Sequence, residues 1–187
     1  MRPLVVLALV AAPALAADFY VDPVAGSPAG DGSAGNPWRT LEEVVEGGLI
    51  ETRHWASLPY EPGLELVPVN PGAPVQAGDT IWLRSGFHGE LFVRGAYNAV
   101  PITVAAAPGQ HPQLSRVLLS AAQNWIVRGV SISPSHAPPP LVQETMVFVE
   151  NHGWHGPSWD VEISDCDLFT VDDASSWGES EWVNVAS

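Results

Sequence analysis

Strand-sized apolar bursts that return at fixed offsets constrain this chain more than any other feature. Trp125-x-Val127-x-Gly129-Val130-x-Ile132 recurs as Val161-x-Ile163-x-Asp165-Cys166-x-Leu168, every member displaced by 36 residues. Ile102 and Val104 lead to Trp125 and Val127 at an offset of 23, and Leu91 leads to Leu114 at the same offset. Val117 and Leu119 are followed 29 residues on by Met146 and Phe148. The longer second turn places its extra residues in two segments, the Pro-rich 133–144 and the Gly/Trp/His-rich 150–158. A unit of about 23 residues carrying three short strands is one coil of a stacked array, a parallel β-helix. In each strand alternate side chains point inward and lie over those of the next coil. Gly129, then Asp165, sits where the chain turns a corner. An antiparallel sandwich or barrel also uses many short strands, but a shared displacement of whole motifs favours the coil.

Composition narrows the function classes. The chain has 7 basic residues, all Arg, against 21 acids, a formal charge of −14. It cannot offer the basic surface that neutralises phosphates, so a nucleic-acid binder is excluded. One cysteine excludes an internal disulfide. With 46% hydrophobic residues and 8 Trp, the chain has the material for a buried core. Its 18 Pro and 17 Gly suit a turn-rich β protein.

The chain divides into three parts. Residues 1–16, MRPLVVLALVAAPALA, carry a basic start, the apolar run Leu4–Val10 and an A-x-A ending at Ala16, the pattern of a signal peptide cleaved near Ala16. The expectation is export, and no later stretch is long enough to cross a membrane. Residues 17–77 form an N-terminal cap. Thr40 and Glu43 make a capping box, Leu41, Val44 and Val45 an apolar stripe, and Gly47-Gly48 a stop, which together give a short helix. Residues 49–77, with five Pro, read as an irregular insertion over Trp55 and Tyr60. Residues 78–187 carry the coils.

At this point the residues carry a resemblance. Tyr20-Val21-Asp22-Pro23, Gly30-Asp31-Gly32 and Asn36-Pro37-Trp38-Arg39-Thr40-Leu41 resemble the opening of exported right-handed parallel β-helix (pectate-lyase-like) proteins. Gly78-Asp79-Thr80-Ile81-Trp82-Leu83 through His88, and Pro101-Ile102-Thr103-Val104 through Pro112, resemble their first coils. The resemblance covers about 18–48 and 78–170, and 49–77 departs from it. It implies an all-β, right-handed parallel β-helix (solenoid) with a short N-terminal capping helix. It also implies lyase or C5-epimerase chemistry, with Ca²⁺ neutralising a uronate carboxylate. Only about four coils can be counted before Ser187, so the sequence reads as the first part of a longer solenoid.

Three groups of candidate site residues follow. Asp165, Asp167, Asp172 and Asp173 lie in an acidic C-terminal stretch and could supply oxygen ligands to Ca²⁺; the plainer alternative is a solvated acidic face. In the loop 150–159, Trp154 and Trp159 could stack on sugar rings, and His152 or His155 could act as general base. The alternative is that these rings simply fold the loop onto the coil, while the spacing of the two His is weak grounds for a transition-metal site. Arg84, Arg94, Arg116 and Arg128 stand at strand ends or turns. Arg94 is the candidate for a substrate carboxylate, and Arg128 joins His152 and His155 as a candidate catalytic group, because the chain has no Lys. Salt bridges to acids are the alternative for all four. Asp22 and Asp31 suit Asx turns, and Cys166 a small buried hydrophobe.

Two functions remain. One is an exported carbohydrate-active protein, a lyase or C5-epimerase acting on an acidic polysaccharide. The other is a non-catalytic adhesin-like or glycan-binding module. Both take a polysaccharide or surface glycan as partner.

Overall fold

In the computed structural model, which describes residues 16–139 and 145–170, the apolar bursts form strands, and most pair in parallel. The elements in chain order are β1 (Asp18–Val21), α1 (Leu41–Glu46), β2 (Thr52–Trp55), β3 (Leu66–Val69), β4 (Thr80–Leu83), β5 (Gly86–Phe87), β6 (Leu91–Ala106), β7 (Pro112–Leu114), β8 (Val117–Arg128), β9 (Ser131–Ile132), β10 (Val147–Glu150), β11 (Trp159–Ser164) and β12 (Asp167–Leu168). A single 3-10 turn, Pro134–His136, follows β9. The chain is all-β with parallel sheets and, among the described residues, one short α-helix.

Two ladders run through it. In the first, β1 pairs β4, β4 pairs β6, β6 pairs β8, and β8 carries both β10 and β11, all in parallel. In the second, β5, β7, β9 and β12 pair in that order, again in parallel. The sequence offsets reappear as register. Ile102 pairs Trp125 and Val104 pairs Val127. Trp125 pairs Val161, Val127 pairs Ile163 and Ile132 pairs Leu168. Gly129 (φ 71°) and Asp165 (φ 54°) both adopt the left-handed conformation at the corner that follows β8 and β11. Glycine takes this conformation freely and Asp tolerates it, which explains why these two types alternate there.

Two offsets differ from the sequence reading. Leu91 pairs Val117, not Leu114, and Leu114 pairs Ile132 in the second ladder. Leu114 and Val117 are both fully buried, so apolar spacing alone does not say which of them is the neighbour. Val117 pairs Val147 rather than Met146. Met146 is buried just before the strand, and its carbonyl accepts from the Val117 N–H at 2.8 Å, so the ladder starts one residue later.

Buried residues of the first ladder, including Val21, Ile81, Leu83, Leu91, Ile102, Val104, Leu119, Trp125 and Val127, form one core with Leu114 and Ile132 of the second. The cap joins the same core. Thr40 Oγ1 accepts from the Glu43 N–H at 3.2 Å, as the capping box requires. Leu41 and Val44 are buried, and Phe19 stacks on Trp38 at 5.3 Å. Asp22 forms its Asx turn, accepting from Val24 and Ala25 N–H at 2.9 Å, and Asp31 accepts from Ser33 at 2.9 Å. No helix among the described residues is long and apolar enough to cross a membrane.

The insertion is more ordered than its composition predicts. β2 and β3 form an antiparallel hairpin, Thr52 opposite Val69 and Trp55 opposite Leu66, and β2 touches β6 through Arg53 and Tyr97. Each strand has four residues and β3 contains Pro68, which hides alternation in the sequence. An exposed Pro on an outer strand is compatible with such a pair.

Candidate functional site

Tyr97 organises the surface where the insertion meets β6. It sits on β6, fully buried, before the irregularity that follows Tyr97 in the β6–β8 register. The ring packs against Trp55 of the hairpin at 5.0 Å and against Trp159 at 5.5 Å, and Trp55 packs on Tyr60 at 4.9 Å. The Tyr97 hydroxyl donates to the His155 carbonyl at 2.9 Å, with the Pro157 carbonyl at 3.0 Å sharing that donor. The Tyr60 N–H donates to the Trp154 carbonyl at 2.8 Å. The hairpin and the 150–158 loop, nearly a hundred residues apart in sequence, are thereby fixed to one corner of β6.

The loop itself is tightly built. His152 and Gly156 exchange backbone hydrogen bonds at 2.8 and 2.7 Å. His152 Nδ1 accepts from the Trp154 and His155 N–H groups, both at 3.2 Å. That assigns the His152 proton to Nε2 and makes the ring a turn-builder. Gly156 (φ 106°) has no room for a side chain: a Cβ there would lie 2.7 Å from Trp55 Nε1 and 2.8 Å from the Tyr97 hydroxyl.

His155 is the group left with a free ring. It stands 4.9 Å from the His152 ring, edge to face, and a Cβ on Gly95 would lie 3.3 Å from its Nδ1. Desolvation, followed by the charges of His152, Arg94 and His54, holds its pKa below the ordinary 6.5. Around neutral pH its imidazole is therefore uncharged and able to accept a proton. Arg94 lies next to Gly95 in the chain, exposed, with its guanidinium 5.0 Å from the centre of the Phe92 ring. Trp154 is 54% exposed and Trp159 36%, so both indoles reach solvent beside the pair.

Of the residues expected to act together, His152, His155, Trp154, Trp159 and Arg94 converge. Arg128 does not. It ends β8 opposite Ser164, beyond the left-handed bend at Asn124 that separates it from the Gln123–Trp159 pair. Arg84 pairs Asp22 at 3.1 Å, and Arg116 pairs Glu90. Asp165 and Asp167 fall on either side of a corner, one a left-handed bend and one on β12, rather than along one strand edge. Asp172 and Asp173 lie outside the described residues. Among the described residues no three His, Cys, Asp or Glu side chains converge as metal ligands. Cys166 is half-buried, with burial raising its thiol pKa.

Sequence reasoning missed His54, Tyr97 and Phe92. Tyr97 lies inside a strand-like run, and only the contact with Trp55 and Trp159 reveals its role. A cleft of about 460 Å³ lies elsewhere, between the opening loop and α1; its Arg39 and Glu43 pair with each other. Compared with family models, curated proteins and solved structures, the chain finds no match in any of the three.

Proposed function

We propose that this chain is an exported, carbohydrate-active right-handed parallel β-helix protein that acts on an acidic polysaccharide by elimination or epimerisation at a uronate C5. The observation that carries the reading is the convergence of Arg94, a neutral His155 and the exposed Trp154 and Trp159 on one surface of a strongly acidic chain. The repeating parallel register supports the β-helix, and the leader at 1–16 supports export.

The chemistry follows from the groups. The indole faces hold pyranose rings by their C–H faces. Arg94 pairs with the uronate carboxylate, which lowers the cost of charge building up when C5 loses its proton. His155 takes that proton. In elimination the C5 electron pair forms the C4–C5 double bond, and the C4–O bond breaks, its oxygen taking a proton from water. In epimerisation a proton returns to the opposite face of C5.

Incubating the protein with pectate, alginate and chondroitin, and following ultraviolet absorbance of unsaturated uronate and C5 inversion by NMR, tests this. Product on one polymer, lost in His155→Ala, supports it; no product on any polymer, with neither readout, overturns the enzyme. The second reading, a glycan-binding module without catalysis, is favoured by one specific feature. His152 and Tyr97 use their polar groups on the loop backbone, leaving His155 without an evident acid partner. Binding without product would select it.

A further inference from the structure

A cleft of about 200 Å³ opens between the inserted hairpin and β6, with Thr52 and Asn70 on the hairpin side and Phe92 and Arg94 on the other. Its size falls below the roughly 300 Å³ at which drug-sized pockets begin, which suits a single small ring. Its polar groups are few and unspent. Among the described residues, Arg39, Arg84 and Arg116 each hold a carboxylate and Arg53 holds the Leu66 carbonyl. Arg94 holds neither; it rests on the Phe92 ring, which steers the guanidinium while leaving its N–H fork free. Thr52 is a buried residue whose hydroxyl makes no side-chain hydrogen bond among the described residues. Asn70 gives its amide N–H to the Ile50 carbonyl at 3.1 Å and keeps its side-chain oxygen as an acceptor. Between these groups the walls are apolar, formed by Phe92, Val93 and Ala96.

An unpaired cation, a hydroxyl and an amide oxygen around an apolar wall describe a ligand that is anionic at one end, hydroxylated at the other and apolar on its C–H face. We infer that this cleft is a subsite for one anionic sugar residue, its carboxylate on Arg94 and its hydroxyls on Thr52 and Asn70. The inference rests on the proposed action on acidic polysaccharide and adds where one ring is held. It also assigns the insertion a role, since Thr52 and Asn70 come from the hairpin that departs from the pattern of its resemblance. Arg94 adjoins Gly95, where a Cβ would lie 3.3 Å from His155 Nδ1, so a sugar held here lies next to the candidate base.

Amide and side-chain NMR titration of the whole chain tests the subsite with D-galacturonate, glucose and acetate as separate probes. Galacturonate is expected to shift Thr52, Phe92 and Arg94 signals, with glucose and acetate at least about tenfold weaker, as loss of a hydrogen bond to a charged group implies. Arg94→Ala and Thr52→Val are each expected to weaken galacturonate binding, and Arg39→Ala, a guanidinium held by Glu43 away from the cleft, to leave it unchanged. Acetate binding as tightly as galacturonate would reduce the cleft to a simple anion site and overturn the inference. So would unchanged galacturonate affinity in Arg94→Ala. An acidic oligosaccharide that shifts Trp154 and Trp159 but no cleft residue removes the subsite and leaves the proposed function standing. No shift anywhere with any acidic saccharide removes both.

Discussion

Single residues decide the site because each carries a contact that no neighbour can replace. Gly156 is the strictest. With φ at 106° and two aromatic groups where a Cβ would stand, Gly156→Ala must move Trp55 or Tyr97. A cost of about 2 kcal/mol or more, read by urea denaturation, is expected from strain and overpacking together. Tyr97→Phe keeps the ring stack and removes only the hydroxyl that holds the 152–157 loop, so about 1 kcal/mol is expected, with chemical-shift changes concentrated at His155 and Pro157. His88 makes stability depend on pH. It is fully buried, its Nε2 bonds the Arg84 carbonyl at 2.7 Å, and its Nδ1 has no partner. Desolvation depresses its pKa below 6.5; Arg84's carbonyl and the Asp22 carboxylate only partly offset this. The unfolded chain therefore binds a proton that the folded chain resists, and stability falls as pH drops below 6.5. Thermal melts between pH 7 and 5 check this, and His88→Gln is expected to flatten the slope. Asp22 acts in a lower window. Burial opposes its ionisation, but the Ala25 and Val24 N–H groups and Arg84 outweigh that and hold its pKa below 3.8. Its contribution is full above 3.8 and is lost only as pH falls through the depressed value.

At the scale of elements, sequence periodicity and register agree wherever a burst has one possible neighbour. Trp125 shows why. It is fully buried, pairs Ile102 on one side and Val161 on the other, and donates its indole N–H to the Ala96 carbonyl at 3.1 Å. Trp125→Ala is expected to cost about 3–5 kcal/mol, through the cavity and the lost hydrogen bond; a smaller loss in calorimetry would mean the layer collapses to fill it. The cap helix was legible because its signals are local: Thr40, the Leu41/Val44/Val45 stripe and Gly47-Gly48 lie within nine residues. The hairpin was not legible. Its two short strands pair with each other and graze β6, and Trp55 gains its Tyr97 partner from far along the chain.

At the scale of the whole molecule, the parallel stack supplies stability and the additions supply the site. Replacing residues 52–70 with a short Gly/Ser link, which keeps the buried Ile50 and Val75, is expected to retain the β-sheet circular dichroism signal, because the ladders from β4 to β12 do not pass through the hairpin. The same change removes Trp55, Tyr60 and Thr52, so acidic-glycan binding should be lost while the stack persists. Loss of fold in that variant would show that the hairpin closes the core as well as the site.

The sequence by itself determined the all-β class, the offsets of 23 and 36, the corner at Gly129 and Asp165 and the cap helix. Each depends on local periodicity or local turn chemistry, which are properties of the string. Tertiary structure alone decided that Arg94 and His155 belong together and Arg128 does not, that Leu91 faces Val117, and that Tyr97 joins two insertions. Those facts depend on loop lengths summed between paired strands. A change of one or three residues in a loop moves a side chain to a different neighbour without altering any local pattern.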